Sequence, residues 1–278
     1  MKVCATIAEV RDALHGVERP LGAVLTMGAL HQGHLALVRR ARAECKTVAA
    51  TIYVNPTQFG DARDLDTYPR PMQDDLRVLR REGVDVVLVP SDAEIYPEGF
   101  SAWIEPGEIG ERLEGEHRPG HFRGVCTVVL KLFNILAPDR SYFGRKDAQQ
   151  VLVIRRMVDH LALPIDIIAV PTVRERDGLA MSSRNGNLTT QERRAARVLH
   201  RALTAAHDLA AEGERNAQTL RTAIHSTLAE EPLATIDYVS IANPDDLKEL
   251  TTLEGPALAS LAVRFGQTRL IDNLTLLG

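Results

Sequence analysis

Gly28, His31, Gly33 and His34 stand close together in the stretch LTMGALHQGHLALVRRA, residues 25–41. The chain enters this stretch from an apolar run and leaves it in an amphipathic helical pattern. A strand that turns into a helix presents backbone N–H groups and the positive end of a dipole, which suits an anion. Glycine there lets a ligand come close to the backbone. Gly28 to Gly33 keeps the G-x-x-x-x-G spacing of a phosphate loop, but His34-Leu35 occupies the place of Lys-Ser/Thr. The stretch is also not G-x-G-x-x-G, which removes the best support for a dinucleotide fold. His31 and His34 lie three apart, so both can face the strand's C-terminal end and offer ring N–H donors to phosphate oxygens. A metalloprotease zinc site needs histidines four apart with a glutamate between them, and this spacing fails it. Two histidines near a turn are also compatible with a purely structural role; the flanking glycines favour a ligand.

Four further stretches carry polar groups at element ends. In TIYVNPTQF, Asn55 and Gln58 follow a strand, where specificity contacts gather in open α/β sheets, although Asn-Pro alone reads as a turn. Gln58 offers both a donor and an acceptor, which suits a ligand carrying hydroxyl and carboxylate groups. In EHRPGHFRGV, Arg118, His121 and Arg123 flank a Pro-Gly turn, and an anionic substrate would give that basic turn a purpose. In YFGRKDAQQ, Lys146 offers a point charge to phosphate, while Asp147 can accept from ribose hydroxyls or cap a helix. In DGLAMSSRN, Ser182, Ser183 and Arg184 can bind phosphate, or the stretch is a polar linker; a loop at a domain junction can also close as a lid. Asp74 and Asp75 open a helical pattern and complement its dipole.

Positioning these groups requires a frame. Strand-like runs at residues 23–25, 48–54, 84–89, 141–143 and 165–170 alternate with helical patterns at 33–45, 72–81, 125–136 and 148–161. That alternation predicts an α/β fold, a Rossmann-like parallel sheet covered on both faces, over residues 1–175. The pattern then changes. Thr189 and Glu192 form a capping box before one long helix to about residue 211, and a second helix covers 217–230. Strand-like segments at 236–241 and 258–265 and the closing TRLIDNLTLL complete a smaller α+β C-terminal domain, residues 176–278, with 175–187 as its hinge.

The 278 residues are 45% hydrophobic and 25% charged with a formal net charge of -4, the profile of an ordinary globular chain. No basic block suggests nucleic-acid wrapping, and no apolar run reaches the ~18 residues of a membrane span. Cys4, Cys45 and Cys126 are widely spaced, form no C-x-x-C and fit inert thiols in a reducing, cytoplasmic setting.

TMGALHQGH resembles the HIGH-type signature of nucleotidyltransferases, and more closely the TMGALHxGH of the pantothenate synthetase (pantoate–β-alanine ligase) family. VNPTQF, RPGHFRGV, GRKDAQQ and AMSSRN are similar to further motifs of that family, in its order, and RLIDN at 269–273 matches near the C-terminus. The resemblance implies ligation of pantoate and β-alanine through a pantoyl adenylate, with AMP and pyrophosphate released. His31 and His34 would meet ATP phosphates with Lys146, Ser182, Ser183 and Arg184. Thr26, Met27, Gly28, Gly33, Gly144, Asp147, Val173 and Met181 would complete the nucleotide site. Asn55, Gln58, Arg118 and Gln150 would hold pantoate, and Asp74 or Asp75 would help hold Mg2+, bound mainly by the phosphates. A homodimer binding neither nucleic acid nor membrane is implied as well. Leu25, Gln32 and Arg145 depart from the pattern, where proline, an acidic residue and glutamate are usual. A different HIGH-type transferase, a fragment of a tRNA-charging enzyme and a non-catalytic nucleotide sensor remain as alternatives.

Overall fold

The apolar runs after Pro20 and Lys46 form the middle of a parallel sheet, because only strands covered on both faces can be apolar throughout. The computed structural model describes residues 1–60 and 65–277. Among these, the first compact unit comprises Met1–Arg145 with Gln149–Pro171, and the second comprises Lys146–Ala148 with Thr172–Gly278. The second unit thus starts four residues ahead of the boundary expected from sequence and includes three residues that follow a strand of the first.

The first unit runs β1 (Lys2–Cys4), α1 (Ile7–Leu14), β2 (Leu21–Thr26), α2 (Gln32–Glu44), β3 (Thr47–Ile52), α3 (Met72–Arg81) and β4 (Val86–Leu88). It continues through α4 (Asp92–Ile95), α5 (Glu114–His117), α6 (His121–Leu136), β5 (Arg140–Gly144), α7 (Ala148–His160) and β6 (Asp166–Val170). Its strands pair in the order β1-β4-β3-β2-β5-β6, all parallel. This is the expected Rossmann-like class. The chain leaves β2 toward one side of the sheet and returns at β5 on the other, so the carboxyl ends of β2 and β5 bracket a topological switch point, where open α/β sheets bind ligands.

On one face, Leu37, Val38 and Ala41 of α2 and Leu79 of α3 pack on Val24, Val48, Ala50, Ile52 and Val87. Helix α6 packs on β2 and α1 and is apolar nearly all round, with Phe122, Val125, Val129, Leu132, Phe133 and Leu136 buried. It begins at His121, a turn earlier than its periodicity suggests, because Gly120 at φ 79° turns the chain into it. All three cysteines are buried free thiols. Burial pushes Cys126 up to about 12.

The second unit holds α8 (Thr190–Ala195), α9 (Val198–Ala211), α10 (Ala217–Ala229) and an antiparallel sheet of β7 (Ala234–Ala242), β8 (Ala257–Phe265) and β9 (Thr268–Leu276), in that spatial order. The capping box forms as expected, with Thr189 accepting from the Glu192 amide. The single long helix does not: the Leu199 amide reaches back only to the Ala196 carbonyl, and that tight turn divides α8 from α9. Arg264 and Arg269 face each other across β8 and β9. The register slips between Ile236 and Tyr238, and Asp237 accepts from both guanidinium groups at 3.0 and 2.6 Å. Burial alone would raise the Asp237 carboxyl, but the two arginines hold it below the usual carboxylate range.

Candidate active site

Cross-strand bonds between Thr26 and Thr51 fix where the chain leaves β2. Thr26 Oγ1 donates to the Thr51 carbonyl at 2.6 Å, and the Gly28 amide donates back to Thr26 Oγ1 at 3.1 Å. Gly28 and Ala29 then take positive φ, 82° and 51°. A Cβ on Gly28 would stand 2.9 Å from Asp75 Oδ2 and 3.0 Å from Ile52, so the position demands glycine for space as well as for conformation.

The two histidines cap their own helix. His31 is the N-cap of α2, and its Nδ1 accepts from the Gly33 amide at 3.1 Å; His34 Nδ1 accepts from the His31 amide at 3.3 Å. The reciprocal arrangement is that of a capping box, with imidazoles in place of a hydroxyl and a carboxylate. An Nδ1 that accepts carries no proton, so each neutral ring holds its hydrogen on Nε2. The rings lie 4.1 Å apart, centroid to centroid, and both residues are half-buried.

Four of the backbone amides expected to cradle phosphate in this turn are already engaged. The Ala29 and Leu30 amides donate to Asp75 Oδ2 and Oδ1 at 2.8 and 2.9 Å, and the His31 and Gly33 amides go to the two rings. Sequence spacing alone could not reveal this, because Asp75 comes from α3. The same bonds correct the metal expectation. Asp75 is 3% exposed with both oxygens occupied by amides, and Asp74 pairs with Arg77 at 2.8 Å on the surface. The pair does not fit a metal cage, and among the described residues no group of three or more His, Cys, Asp or Glu gathers to form one.

Asn55 also differs from expectation. It is 1% exposed and its polar atoms are engaged: Nδ2 donates to Gln58 Oε1 at 3.1 Å and to the Gly124 carbonyl at 3.2 Å, and Oδ1 accepts from Tyr96 and Thr57. Rather than meeting a ligand, it orients Gln58, whose Nε2 lies 3.1 Å from Met27 Sδ. Burial raises the Tyr96 phenol above its ordinary value, so it remains a donor to Asn55. A Cβ at Gly124 would stand 2.4 Å from the Thr57 carbonyl, so glycine lets α6 touch the Asn-Pro turn. Arg118 Nη2 and His121 Nδ1 both reach the Gln58 carbonyl, at 3.3 and 2.8 Å, and Arg118 Nη1 meets His121 Nε2 at 3.2 Å. Arg118 and His121, both from the basic turn singled out in the sequence, thus meet the Gln58 backbone, with Gly124 as a support that had no sequence signal. Gly144 ends β5 beside Val170. On α7, the side chain of Gln149, rather than Gln150, is consumed by the Ile109 and Arg112 carbonyls, at 2.8 and 2.7 Å.

The second unit carries the remaining candidates. Residues 173–181 form a tight hairpin: the Glu175 amide bonds the Leu179 carbonyl, and the Met181 amide bonds the Val173 carbonyl. Arg193 grips Glu175 and Asp177, and this contact holds the Asp177 carboxyl below its usual range. Arg174 binds Asp272 through both nitrogens, at 2.6 and 3.0 Å, and Asn273 donates to the Lys146 carbonyl at 2.7 Å. The segment expected to be a hinge is therefore clamped within its own unit, and RLIDN supplies two of the clamps. Ser182 Oγ accepts from the Arg184 amide, which shapes the turn bearing Ser183 and Arg184. Lys146 Nζ lies 3.5 Å from Asp147 Oδ1.

Comparison with known proteins identifies the family. The family model described as pantoate-beta-alanine ligase matches residues 2–275. The chain belongs to this family. The family's members are ligases that form an amide bond. The chain is 58% identical over 276 residues to the pantothenate synthetase of Roseiflexus sp. (strain RS-1), covering 99% of each, and 56% identical over 279 residues to that of Chloroflexus aurantiacus. The crystal structure of pantothenate synthetase from Thermus thermophilus matches with a TM-score of 0.94 at 45% identity, covering 99% of each chain. The ligase from Francisella tularensis, solved with beta-gamma ATP and beta-alanine, matches with a TM-score of 0.82 at 37% identity, covering 99% of this chain and 97% of that one. No helix among the described residues is long and apolar enough to cross a membrane.

Proposed function

We propose that the chain joins pantoate to β-alanine at the expense of ATP in two half-reactions. A pantoate carboxylate oxygen bonds to the ATP α-phosphorus as pyrophosphate leaves, giving pantoyl adenylate. The β-alanine amine then attacks the acyl carbon, AMP leaves, and the amide of pantothenate remains. The difficulty of the first step is an anion approaching an anion, so catalysis rests on positioning and on donors placed where charge develops.

The observation that carries this reading is the histidine cap. With each Nδ1 used as an acceptor, Nε2–H is the donor His31 and His34 can turn to phosphate oxygens, without the desolvation cost of a full cation. Lys146, Ser182, Ser183 and Arg184 add donors and positive charge toward the leaving pyrophosphate. Gln58, fixed by Asn55, acts with Arg118 and Gln150 on pantoate. Thr26, Met27, Gly28, Gly33, Gly144, Asp147, Val173 and Met181 serve the nucleoside and its phosphates. Magnesium belongs to this reading as the counter-ion of ATP, with no protein carboxylate assigned to it. Homodimerisation is part of the same reading.

The test is pyrophosphate release from Mg-ATP with pantoate alone, followed by AMP formation on adding β-alanine. Release in the first stage and amine dependence in the second are the expected results. Tight ATP binding without release in either stage would indicate a nucleotide sensor instead.

A further inference from the structure

The carboxylate of Asp75 sits where an incoming anion was expected. It stands in the first turn of α3, whose dipole favours its charge, and reaches the turn after β2 with both oxygens, bonding consecutive amides at Ala29 and Leu30. Consecutive amides around left-handed residues form an anion-binding concavity. Gly28 and Ala29 hold that conformation, and Gly28 leaves the space that Oδ2 fills. The next residue in the chain after this pair of amides is His31, whose own amide fixes the His34 ring.

From this we infer that Asp75 is the positioning residue of the histidine turn: its carboxylate occupies the anion nest in place of substrate phosphate and thereby sets the two imidazoles for adenylation. The inference rests on the function proposed above. Filling the nest from within also leaves the rings, rather than the Ala29 and Leu30 amides, to meet ATP.

A cavity of about 310 Å³ beside the carboxylate makes the inference testable, because Met27, Gly28, Asp75 and Arg70 line it and a small anion can enter. In Asp75→Ala, pyrophosphate release should fall about 10²-fold, the scale of a roughly 1 Å misplacement of reacting groups. The KM for pantoate should change less than twofold. Formate, but not chloride at equal ionic strength, should restore the rate at least tenfold and raise the thermal midpoint of the variant while leaving the wild type unchanged. Asp75→Asn keeps the shape but turns an N–H2 toward one of the two amides, and should lose activity comparably if Asp75→Ala does not fold. A wild-type rate in either variant overturns the inference. So does loss in Asp75→Ala that formate restores in neither rate nor midpoint, because that marks a merely structural carboxylate. If the wild type itself releases no pyrophosphate, the functional reading fails instead, and the formate-dependent midpoint still reports whether the nest exists.

Discussion

The turn after β2 and the hairpin at residues 173–181 both carry residues proposed to meet a nucleotide, yet they are held in opposite ways. In the first, the candidate chemical groups are themselves the supports: His31 and His34 cap α2 with the same rings assigned to the phosphates. In the second, a separate layer does the holding. Arg174 with Asp272, Arg193 with Glu175 and Asp177, and Asn185 with Glu175 and Ala180 fix the backbone, and Asn273 holds the Lys146 carbonyl, while the role toward phosphate is proposed for the Lys146 and Arg184 side chains. The difference teaches that chemistry and architecture are fused in the first region and separable in the second.

The largest effect should come from breaking a support that has no chemical role. Asp272→Ala leaves the Arg174 guanidinium without its partner at a carboxylate only 1% exposed, and should destabilise the second unit by about 3–5 kcal/mol. Chemical denaturation followed by a probe on that unit measures the loss; a change below about 1 kcal/mol, the range of an exposed pair, would remove it from the supporting layer.

His34→Ala should strike both properties at once. Adenylate formation should fall by roughly 10²–10³-fold, as for loss of a preorganised donor. The lost cap should cost a further ~1 kcal/mol of stability. Arg184→Ala should separate them, with turnover reduced about tenfold to 10²-fold, the worth of a charge-assisted hydrogen bond, at an unchanged thermal midpoint. Equal destabilisation of the two variants would abolish the contrast between the regions.

The smallest effect is a pH dependence. His200 packs beneath Gly178, where an added Cβ would lie 2.3 Å from its ring, and burial followed by the nearby Arg174 charge lowers its pKa from the ordinary 6.5, against a smaller opposing pull from Asp272. The unfolded chain therefore takes up this proton more readily than the folded one. Stability is unaffected above about pH 6.5 and is lost as pH falls from there toward the depressed folded value. The thermal midpoint of the wild type should decline over that window, and His200→Gln should flatten the decline; an identical slope in both would assign it elsewhere.

Sequence reading reached furthest where neighbours in the chain determine the structure. Central strands, most helices and the Thr189 capping box follow from periodicity and local hydrogen bonding. It missed β1, whose three residues are exposed at Lys2 and Val3 and carry little apolar signal. It joined α8 to α9 because nothing in the composition of Ala196-Arg197 marks a break. It could not read the bonding of Asp75 to the amides of the turn after β2, because the partners are 46 and 45 residues apart. Asn55 failed for the same reason, since Tyr96 and Gly124 consume its side chain from distant elements.

The most direct test of the central claim is the tautomeric state of His31 and His34, read from imidazole 15N shifts in the wild-type protein at neutral pH. Protonated Nε2 with unprotonated, hydrogen-bonded Nδ1 in both rings is the predicted result. A proton on Nδ1 of either ring would contradict it, because that ring could not accept the amide bond that caps α2, and if neutral it could not present Nε2–H to phosphate.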